Sequence, residues 1–513
     1  MDRKKGILNI SSSIISRIVL LFAALYVRRL LIQYIGNDAN GLNSLYGSIL
    51  GLLSVAELGV GSAIVFSMYR PIVDKNDTVV AALYSLYKKL YRIIGAVIFF
   101  AGMAVMPFLP KLISDYDSIS VNVYTTFILT LISVTVSYLY SAKTSLIEAH
   151  KNNYITTGII TISKLLRYCL QAAAILIWRS YIIYLTCQII ESIAIWIMTE
   201  VMVRRLHPDI ISMRERLDDE TGKEVSRNVR AMFLHKIGSI MVGAIDSLII
   251  SSFIGVVILG KYSNYIVIVG VVTSIIALFF TPLTSVIGHM CASSTPSDIQ
   301  RYFEYFYTLN YILGVVFLLG YYTVADNLIV LIFGPGLEMS DVVVFVITLN
   351  QFIGYMRSAQ LTFRDASGTF YYDRWKPVVE GVVNLVLSIA LVKLLPSEYA
   401  VAGVIAATIV TCLLICDTVE PYILYRYVFR QNVGSFYMKN YSYIALFTIS
   451  LLIVEKLKIS ADSELVELFA NGAISVAVSV TLLFLISLID RQFKEDCRTI
   501  IKQFGNLIGC IRE

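Results

Sequence analysis

The stretch that begins at Val466 and ends at Ile489 reads VELFANGAISVAVSVTLLFLISLI, and its one charged residue is Glu467. A helix that crosses a lipid bilayer needs about 20 predominantly apolar residues. A run of this kind is therefore typical of a transmembrane helix. The whole chain has the same character, because 57% of its 513 residues are hydrophobic, 15% are charged and the mean hydropathy is +0.74. These values exclude a secreted domain, a cytosolic enzyme and a disordered scaffold, and they indicate a polytopic membrane protein.

Similar apolar runs recur along the sequence and predict fourteen spanning helices. The predicted ranges are Ile7–Ile35, Leu42–Met68, Leu90–Leu109, Val121–Tyr140, Ile155–Trp178, Tyr181–Val203, Met232–Phe253, Tyr262–Ile287, Tyr307–Val324, Val342–Leu361, Pro377–Leu395, Val401–Tyr425, Tyr441–Leu457 and Val466–Ile489. Transmembrane strands are excluded because the runs are continuous, whereas barrel strands alternate polar and apolar residues. The expected fold class is an all-α integral membrane protein.

The basic residues indicate the orientation of the chain. An even number of helices places both termini on one side of the membrane. If that side is the cytoplasm, the large majority of the 42 Lys and Arg residues fall in cytoplasmic segments, as the positive-inside rule requires. The net charge of +6 then reflects topology, and nucleic acid is not an expected partner. The first residues, MDRKKG, precede a very long apolar run without a cleavage pattern and indicate an uncleaved first helix.

Polar stretches between the helices suggest how the chain is organised. The predicted domains are 1–205, an N-lobe of helices 1–6; 206–231, a cytoplasmic connector; 232–428, a C-lobe of helices 7–12; 429–490, helices 13 and 14; and 491–513, a cytoplasmic amphipathic helix at the membrane interface. The predicted external loops are short, which leaves no room for a catalytic domain outside the membrane. The seven cysteines include no C-x-x-C motif and the four histidines no H-E-x-x-H motif. We therefore expect no catalytic residues, metal site or disulfide framework.

An internal repeat relates the two predicted lobes. The pattern Ile-Gly-x4-Gly-x2-Ser-x-Tyr occurs at residues 35–46 and again at 254–265, an offset of 219 residues. Each copy covers the predicted external turn between the first two helices of its lobe. The same offset aligns Arg17 with Lys236. Parallel repeats of this kind are typical of transporters, in which the substrate path lies at the interface of the repeats.

Two arginines in the first helix are candidates for substrate binding. An ionisable residue deep in a spanning helix costs about 2.5–3.5 kcal/mol on insertion scales, so it faces a cavity or a partner. Arg17 lies about ten residues into the helix and Arg28 lies eleven residues further on, close to the same face. That face also carries three polar residues, Asn9, Ser13 and Ser16. Arg17 then either binds an anion or pairs with a carboxylate, and Arg28 either faces the path or extends to the outer headgroups.

Four further basic residues complete the predicted cationic set. Lys164 and Arg167 are three residues apart in helix 5 and share one face of it. Lys236 and Arg357 lie closer to predicted cytoplasmic helix ends. At these positions, extension of the side chain to the lipid headgroups explains a basic residue at least as well as a role in substrate binding does. Arginines and lysines at several depths suit an anionic substrate, because guanidinium groups bind phosphate oxygens bidentately. A path for cationic drugs would instead need carboxylates and aromatic rings.

Acidic residues also occur inside the predicted helices. Glu57 and Asp246 are the deepest, one in each lobe, and Glu380 lies in helix 11. They either neutralise the basic residues or bind the ion that drives transport. The candidate coupling ions are Na⁺ and H⁺, and no other cofactor is expected.

Three stretches resemble the polysaccharide transporter (oligosaccharide flippase) family of the multidrug/oligosaccharidyl-lipid/polysaccharide exporter superfamily. They read YIGNDANGLNSLY at 34–46, AELGVGSA at 56–63 and YRPI at 69–72. Weaker similarity continues at 246–251 (DSLIIS) and at 380–388, which has the pattern E-x3-N-L-x-L-S. The resemblance covers the whole chain, as fourteen helices arranged in two six-helix lobes followed by two further helices.

This resemblance implies a flippase of the bacterial plasma membrane. Its substrate would be an undecaprenyl-pyrophosphate-linked oligosaccharide, moved to the outer leaflet for capsule, exopolysaccharide or O-antigen synthesis. In the family, two pseudo-symmetric lobes form a V that opens alternately to each side around a cationic cavity. Arg17 matches the family's basic position in helix 1. Membrane lipid and the polymerase and glycosyltransferases of the same pathway are the expected partners.

Three other functions remain open. The first is export of a drug or a peptidoglycan precursor by a transporter of the same superfamily. The second is a membrane enzyme of polysaccharide assembly, which is disfavoured by the short external loops and by the absence of a paired-carboxylate motif. The third is a structural scaffold, which would leave the arginines inside helices and the lobe repeat unexplained.

Overall fold

A computed structural model describes residues 2–54, 60–213, 244–280, 287, 290–291, 294–369, 372, 374–461 and 463–499. For residues 2–14, 60, 62, 63, 66 and 277–280 the description covers the backbone alone. The chain divides into two compact units, Met1–Gly260 and Lys261–Glu513.

The first unit is a bundle of helices. They are α1 (Asp2–Tyr34), α2 (Asn37–Leu53), α3 (Val60–Val73), α4 (Asp77–Leu112), α5 (Val123–Ala149), α6 (Asn153–Trp178), α7 (Tyr181–Leu206), α8 (Pro208–Ser212), α9 (Ala244–Phe253) and the first turn of α10 (Val256–Phe280). The closest neighbours are α5 with α7, α4 with α5, α1 with α6, and α6 with α7. The described part of the predicted connector contains α8, and the remainder of it, 214–231, lies outside the described residues.

The second unit continues α10 and adds seven helices. They are α11 (Pro296–Phe333), α12 (Asp341–Ser367), α13 (Lys376–Leu394), α14 (Ser397–Phe429), α15 (Gly434–Leu457), α16 (Glu464–Ile489) and α17 (491–499). Aromatic rings fill its core. Tyr311 stacks on Tyr443 with ring centroids 3.9 Å apart, and Phe493 of α17 meets both rings edge-on.

The described residues form helices joined by turns and loops and contain no strand, which confirms the predicted all-α membrane fold class. Eleven of the described helices are long and apolar enough to cross a membrane. Each predicted span contains described helix, and predicted helix 2 corresponds to α2 and α3 on either side of residues 55–59. Residues 232–243 of predicted helix 7 and 281–286 of predicted helix 8 lie outside the described residues.

Short polar residues define where several helices begin. Asn76, Asn122 and Thr295 each precede a long helix, and each side-chain oxygen accepts a hydrogen bond from the backbone N–H three residues later. Such caps satisfy backbone donors that have no partner within the helix. They fix the ends of α4, α5 and α11, which in turn fixes the depth of the side chains along these helices.

The first turns of the predicted interfacial helix pack against α11. The Phe493 side chain is completely buried, and Thr308 Oγ1 donates a hydrogen bond of 2.8 Å to Asp496 Oδ2. Phe493 and Asp496 thus belong to the core of the second unit, whereas most of residues 491–499 are exposed. The remainder of this predicted helix, 500–513, lies outside the described residues, and its position at the inner leaflet stays a prediction.

Two histidines meet at one end of the first unit. His150 directly follows α5, His207 directly follows α7, and their ring centroids are 4.0 Å apart. Burial, and to a smaller extent the charge of His150, lower the pKa of His207 from its usual 6.5 to about 4, against an opposing effect of Asp77. The folded chain therefore holds His207 neutral at neutral pH.

This environment predicts acid sensitivity. A His whose pKa is lowered on folding contributes stability above pH 6.5 that is lost as the pH falls towards about 4. We expect the thermal unfolding temperature of the purified protein to drop across this window. His207→Gln should reduce the drop, and His150→Gln should reduce it less, because burial is the larger cause. Equal acid sensitivity of His207→Gln and the wild type would contradict this assignment.

Candidate functional site

The first-unit cations predicted from the sequence lie on α1 and α6, which pack against each other. Ser16 Oγ and Thr161 Oγ1 are 2.6 Å apart and form a hydrogen bond between the two helices. Arg17 follows Ser16, and Lys164 lies one turn beyond Thr161 on the same side of α6. One inter-helix contact therefore positions both cations.

Arg17 and Lys164 have no carboxylate partner within the described residues. Arg17 is exposed and Lys164 is half-buried. No ion pair involves either side chain in the described part of the chain, whereas Arg167, one turn further along α6, has one. An unpaired cation in a spanning helix is unfavourable unless it reaches water or an anion. These two side chains are thus available to an anionic ligand.

Arg167 is held in place by neighbours on α6 and α7. Its Nη1 lies 2.7 Å from Glu191 Oε2, and both side chains are largely buried. The guanidinium also covers the ring of Tyr168, with its carbon 4.6 Å from the ring centroid. Its buried Nε has no hydrogen-bond partner in the described structure. The pairing fixes the orientation of Arg167 and leaves one donor without an acceptor.

The fourth cation, Arg28, lies on α1, and the same tyrosine is close to both Arg28 and Arg167. Tyr184 of α7 is within electrostatic reach of both arginines. Its backbone oxygen accepts a 3.1 Å hydrogen bond from Gln171 Nε2 on α6. The fold thus brings Arg28 and Arg167, from different helices, to one position around Tyr184.

Arg357 has a different environment in the second unit. It lies on α12, and its Nε and Nη2 donate hydrogen bonds of 2.8–3.0 Å to the two oxygens of Glu420 on α14. Its Nη1 is 3.3 Å from Glu380 Oε1 on α13. Lys376 also forms an ion pair with Glu420 and lies 3.6 Å from Glu380 Oε2. These four residues form a charge-balanced network, which we call the Arg357 network.

The remaining predicted residues have different outcomes. Glu380 pairs with Arg357 and Lys376, as its reading as a neutralising residue predicts. Asp246 is buried on α9, with 7% of its surface exposed. Glu57 and Lys236 lie outside the described residues. A role for any of these residues in substrate binding or ion coupling stays a prediction.

The two copies of the sequence repeat pack against each other within the first unit. Gly36 and Gly255 open the copies with φ of +134° and +131°, a conformation that favours glycine. A Cβ at Gly41 would overlap the carbonyl oxygen of Val256, and a Cβ at Gly260 would lie 2.5 Å from the carbonyl oxygen of Asn37. Asn37 and Val256 are equivalent in the repeat, so the contact is reciprocal.

Side-chain hydrogen bonds reinforce this reciprocal contact. Asn40 Nδ2 donates to Gly260 O at 3.0 Å, and Asn37 Nδ2 donates to Val257 O at 2.7 Å. Both bonds use side chains from the first copy and carbonyls from the second. The repeat glycines are thus explained by the close approach of two backbones, a constraint that no larger residue meets.

Asp115 joins the loop after α4 to the same region. Its Oδ1 accepts a 2.8 Å hydrogen bond from Val256 N, and Oδ2 lies 3.4 Å from Val257 N. It therefore caps the N-terminus of α10 from a distant part of the chain. Ser251 Oγ donates to Leu112 O at 2.7 Å beside it. We call this set of contacts, with the reciprocal glycine contact, the turn clamp.

The sequence did not reveal several of these residues as partners. Asp115 lies in a loop and carries no periodic signal. Lys143 lies beyond the predicted span Val121–Tyr140, but α5 continues to Ala149, and Lys143 is buried and pairs with Glu200 at 2.6 Å. Glu191 and Glu420 lie inside the predicted spans Tyr181–Val203 and Val401–Tyr425, so their position in the sequence marks them as candidate partners for basic residues in helices. The identity of each partner depends on helix packing.

The fold of the chain is shared with solved transporter structures. The lipid II flippase MurJ in an inward closed conformation has a TM-score of 0.64 and 15% identity, over 94% of this chain and 100% of that one. An inward-facing multidrug resistance MATE family transporter of the MOP superfamily has a TM-score of 0.53 and 10% identity, over 84% of this chain and 98% of that one. The Vibrio cholerae MATE transporter VcmN has a TM-score of 0.52 and 12% identity, over 82% of this chain and 100% of that one. The sequence matches no protein-family model and no curated protein.

The turn clamp predicts a marked difference between two glycines of α2. Gly41→Ala forces two backbones apart, and we expect it to lower stability by about 1–3 kcal/mol, the range typical of overpacking. Gly47 has open space around its Cβ position, so Gly47→Ala should be neutral or stabilise the helix by up to about 1 kcal/mol. Thermal unfolding of the purified variants measures the difference. Matching values for the two variants would argue against the clamp.

The Arg357 network predicts that loss of Arg357 lowers stability strongly and that removal of a partner carboxylate restores part of it. Arg357→Ala leaves two buried carboxylates with Lys376 alone, and we expect a loss of about 3–5 kcal/mol. The double variant Arg357→Ala/Glu420→Ala restores charge balance and should recover part of that loss. Arg70→Ala is the control, because Arg70 is 93% exposed and its i,i+4 pair is worth about 0.5 kcal/mol or less. Folded yield and unfolding temperature are the measurements, and a double variant no more stable than Arg357→Ala would contradict the pairing.

Proposed function

We propose that this chain is a flippase that moves a polyprenyl-pyrophosphate-linked oligosaccharide repeat unit from the inner to the outer leaflet of a bacterial plasma membrane. The product would serve capsule, exopolysaccharide or O-antigen synthesis. The observation that carries the proposal is the pair of cations, Arg17 and Lys164, held beside one α1–α6 contact without a carboxylate partner among the described residues. The fold shared with transporters supports it.

The chemistry of the substrate fits these cations. A pyrophosphate diester carries charge that a bilayer interior does not solvate, so its passage needs fixed positive groups along the path. Arg17 and Lys164 would bind the phosphate oxygens, and the unpaired Nε of Arg167 offers one more donor. Arg28, near Tyr184, would extend the cationic surface along α1. The polyprenyl tail would remain in lipid, and no bond is made or broken.

The turn clamp suggests how the cycle is controlled. In the predicted topology it lies on the external side, and it joins the first turns of both sequence repeats through Gly41, Gly260 and Asp115. In the proposed alternating-access cycle these contacts hold the external side closed and separate for release of the substrate. A ligand shifts such an equilibrium only through its different affinity for the two states.

A second substrate has specific support. The similar MurJ structure is that of a lipid II flippase, so a peptidoglycan precursor is the alternative cargo. It shares the polyprenyl-pyrophosphate anchor with the proposed substrate and differs in its sugars and its peptide. The same cations would bind either lipid. A cationic drug is disfavoured, because Arg17 and Lys164 have no carboxylate partner within the described residues.

Translocation in proteoliposomes tests the proposal. A labelled polyprenyl-pyrophosphate oligosaccharide is placed in the inner leaflet, and its arrival outside is scored by an external sugar-modifying enzyme. A lipid II analogue is assayed in parallel, with and without Na⁺ and H⁺ gradients. We expect protein-dependent access for the oligosaccharide lipid. Faster transport of the lipid II analogue would select the alternative cargo, and access equal to empty liposomes for both would refute the flippase.

The cations predict a graded effect on this transport. Losing one hydrogen bond to a charged group costs about 1.5–3 kcal/mol. We therefore expect Arg17→Ala and Lys164→Ala each to lower translocation at limiting substrate roughly 10- to 100-fold. Arg17→Lys should retain more activity, and Arg70→Ala is the matched control, since Arg70 is exposed and paired only with Asp74. Unchanged transport in Arg17→Ala at equal protein abundance would remove Arg17 from the path.

A further inference from the structure

A cavity of about 560 Å³ lies at the end of α14, in the turn that leads to α15. Its lining comes from residues 422–433, and it includes two arginines, Arg426 and Arg430, and three tyrosines, Tyr422, Tyr425 and Tyr427. A second cavity of about 400 Å³ adjoins it and shares Tyr427 and Arg430. The two together form one cationic and aromatic recess within the second unit, which we call the α14 recess.

The α14 recess carries positive charge. Among the described residues, no acidic side chain lines either cavity, and the Glu304 carboxylate lies 3.4 Å from the hydroxyl of the lining residue Tyr425. Within the described residues neither arginine forms an ion pair, and the Arg426 guanidinium lies over the Tyr427 ring, 5.9 Å from its centroid. Arg357 in the same unit is bound by two carboxylates. The contrast indicates that the charge of the recess serves a ligand from outside the described structure.

The recess lies at the C-terminal end of a helix that is long and apolar enough to span a membrane. The helix Ser397–Phe429 is apolar enough to span, and Leu414, within it, is 66% exposed, as expected of a residue that faces lipid. Tyr422 and Tyr427 are also exposed, at 46% and 43%. Half-exposed tyrosines beyond a lipid-facing segment are typical of the headgroup region. In the predicted topology this end of α14 is cytoplasmic.

The rim of the recess is rigid on one side. Tyr427 stacks on Tyr372 with ring centroids 3.9 Å apart and planes within 10°. This stack keeps the Tyr427 ring between the two cavities, where Arg430 lines both. Ser294, Ser367 and Thr369 line the second cavity together with Arg430, and the hydroxyls of Ser367 and Thr369 are engaged with the carbonyl oxygen of Arg364 at 3.1 and 3.4 Å. The two guanidinium groups are the donors in this recess that suit a phosphate diester.

We propose that the α14 recess binds the headgroup of an anionic glycerophospholipid of the inner leaflet, with Arg426 and Arg430 on its phosphate. Basic pockets at the cytoplasmic ends of membrane helices attract anionic headgroups by this combination of charge and position. The lipid tails would lie along the exposed apolar face of α14, and the polar headgroup would enter the recess. This site is separate from Arg17 and Lys164 and does not depend on the proposed cargo.

Lipid binding by the intact protein tests the assignment. The protein is placed in phosphatidylcholine nanodiscs with or without phosphatidylglycerol, and retained lipid is measured by native mass spectrometry alongside the unfolding temperature. We expect phosphatidylglycerol to be retained and to stabilise the protein. Arg426→Gln/Arg430→Gln should weaken its retention by at least about tenfold. Arg70→Gln/Lys75→Gln removes the same charge at exposed positions and should have little effect.

Three other results would overturn the proposal. An equal loss of phosphatidylglycerol from the control variant Arg70→Gln/Lys75→Gln would mean that the lipid is held by non-specific electrostatic attraction. Stabilisation by inorganic phosphate equal to that by phosphatidylglycerol would mean that the recess binds free anions. Tighter retention of a polyprenyl pyrophosphate than of phosphatidylglycerol would assign the recess to the transported lipid. Circular dichroism of each variant establishes that the helices are retained.

Discussion

Charge inside a membrane protein has to be balanced, because the hydrocarbon interior solvates neither cations nor carboxylates. Individual cations of this chain meet the constraint differently. In the second unit the Arg357 network places two cations against two carboxylates, and the Glu420 side chain is completely buried. In the first unit Arg167 pairs with Glu191, whereas Arg17 and Lys164 have no such partner within the described residues. This difference separates residues that hold the fold together from residues that remain available to a ligand.

The same difference shows what the sequence can predict. Long apolar runs predicted the helices, because hydropathy and length suffice to identify a span. The repeat predicted equivalent turns at Gly36 and Gly255, and both glycines have a positive φ. It could not predict that Gly41 and Gly260 would touch the opposite copy, since that contact depends on the packing of whole helices. Local sequence patterns therefore predict helices and turns, whereas the contact between the two copies of the repeat is seen only in the tertiary structure.

The candidate site illustrates a further limit of the sequence. Arg17, Arg28, Lys164 and Arg167 were identified because charges inside apolar runs are conspicuous. The pairing of Arg167 with Glu191 was not predictable, because several acidic residues lie inside helices and nothing in the sequence pairs one acid with one base. Lys143 lies beyond the predicted span Val121–Tyr140, and its contacts with Glu200 and the Trp196 ring depend on the packing of α5 against α7. Predicted cations therefore indicate a site only after their carboxylates are assigned.

Fold similarity and charge answer separate questions about this protein. Solved transporters that share the fold at 10–15% identity include a lipid II flippase and MATE transporters, so the fold does not select the cargo. The charge pattern favours an anion over a cationic drug. Arg426 and Arg430 extend the same argument to a second position, because they too lack a carboxylate within the described residues. Among the described residues, cations without a carboxylate partner thus occur both in the path proposed for the cargo and in the α14 recess.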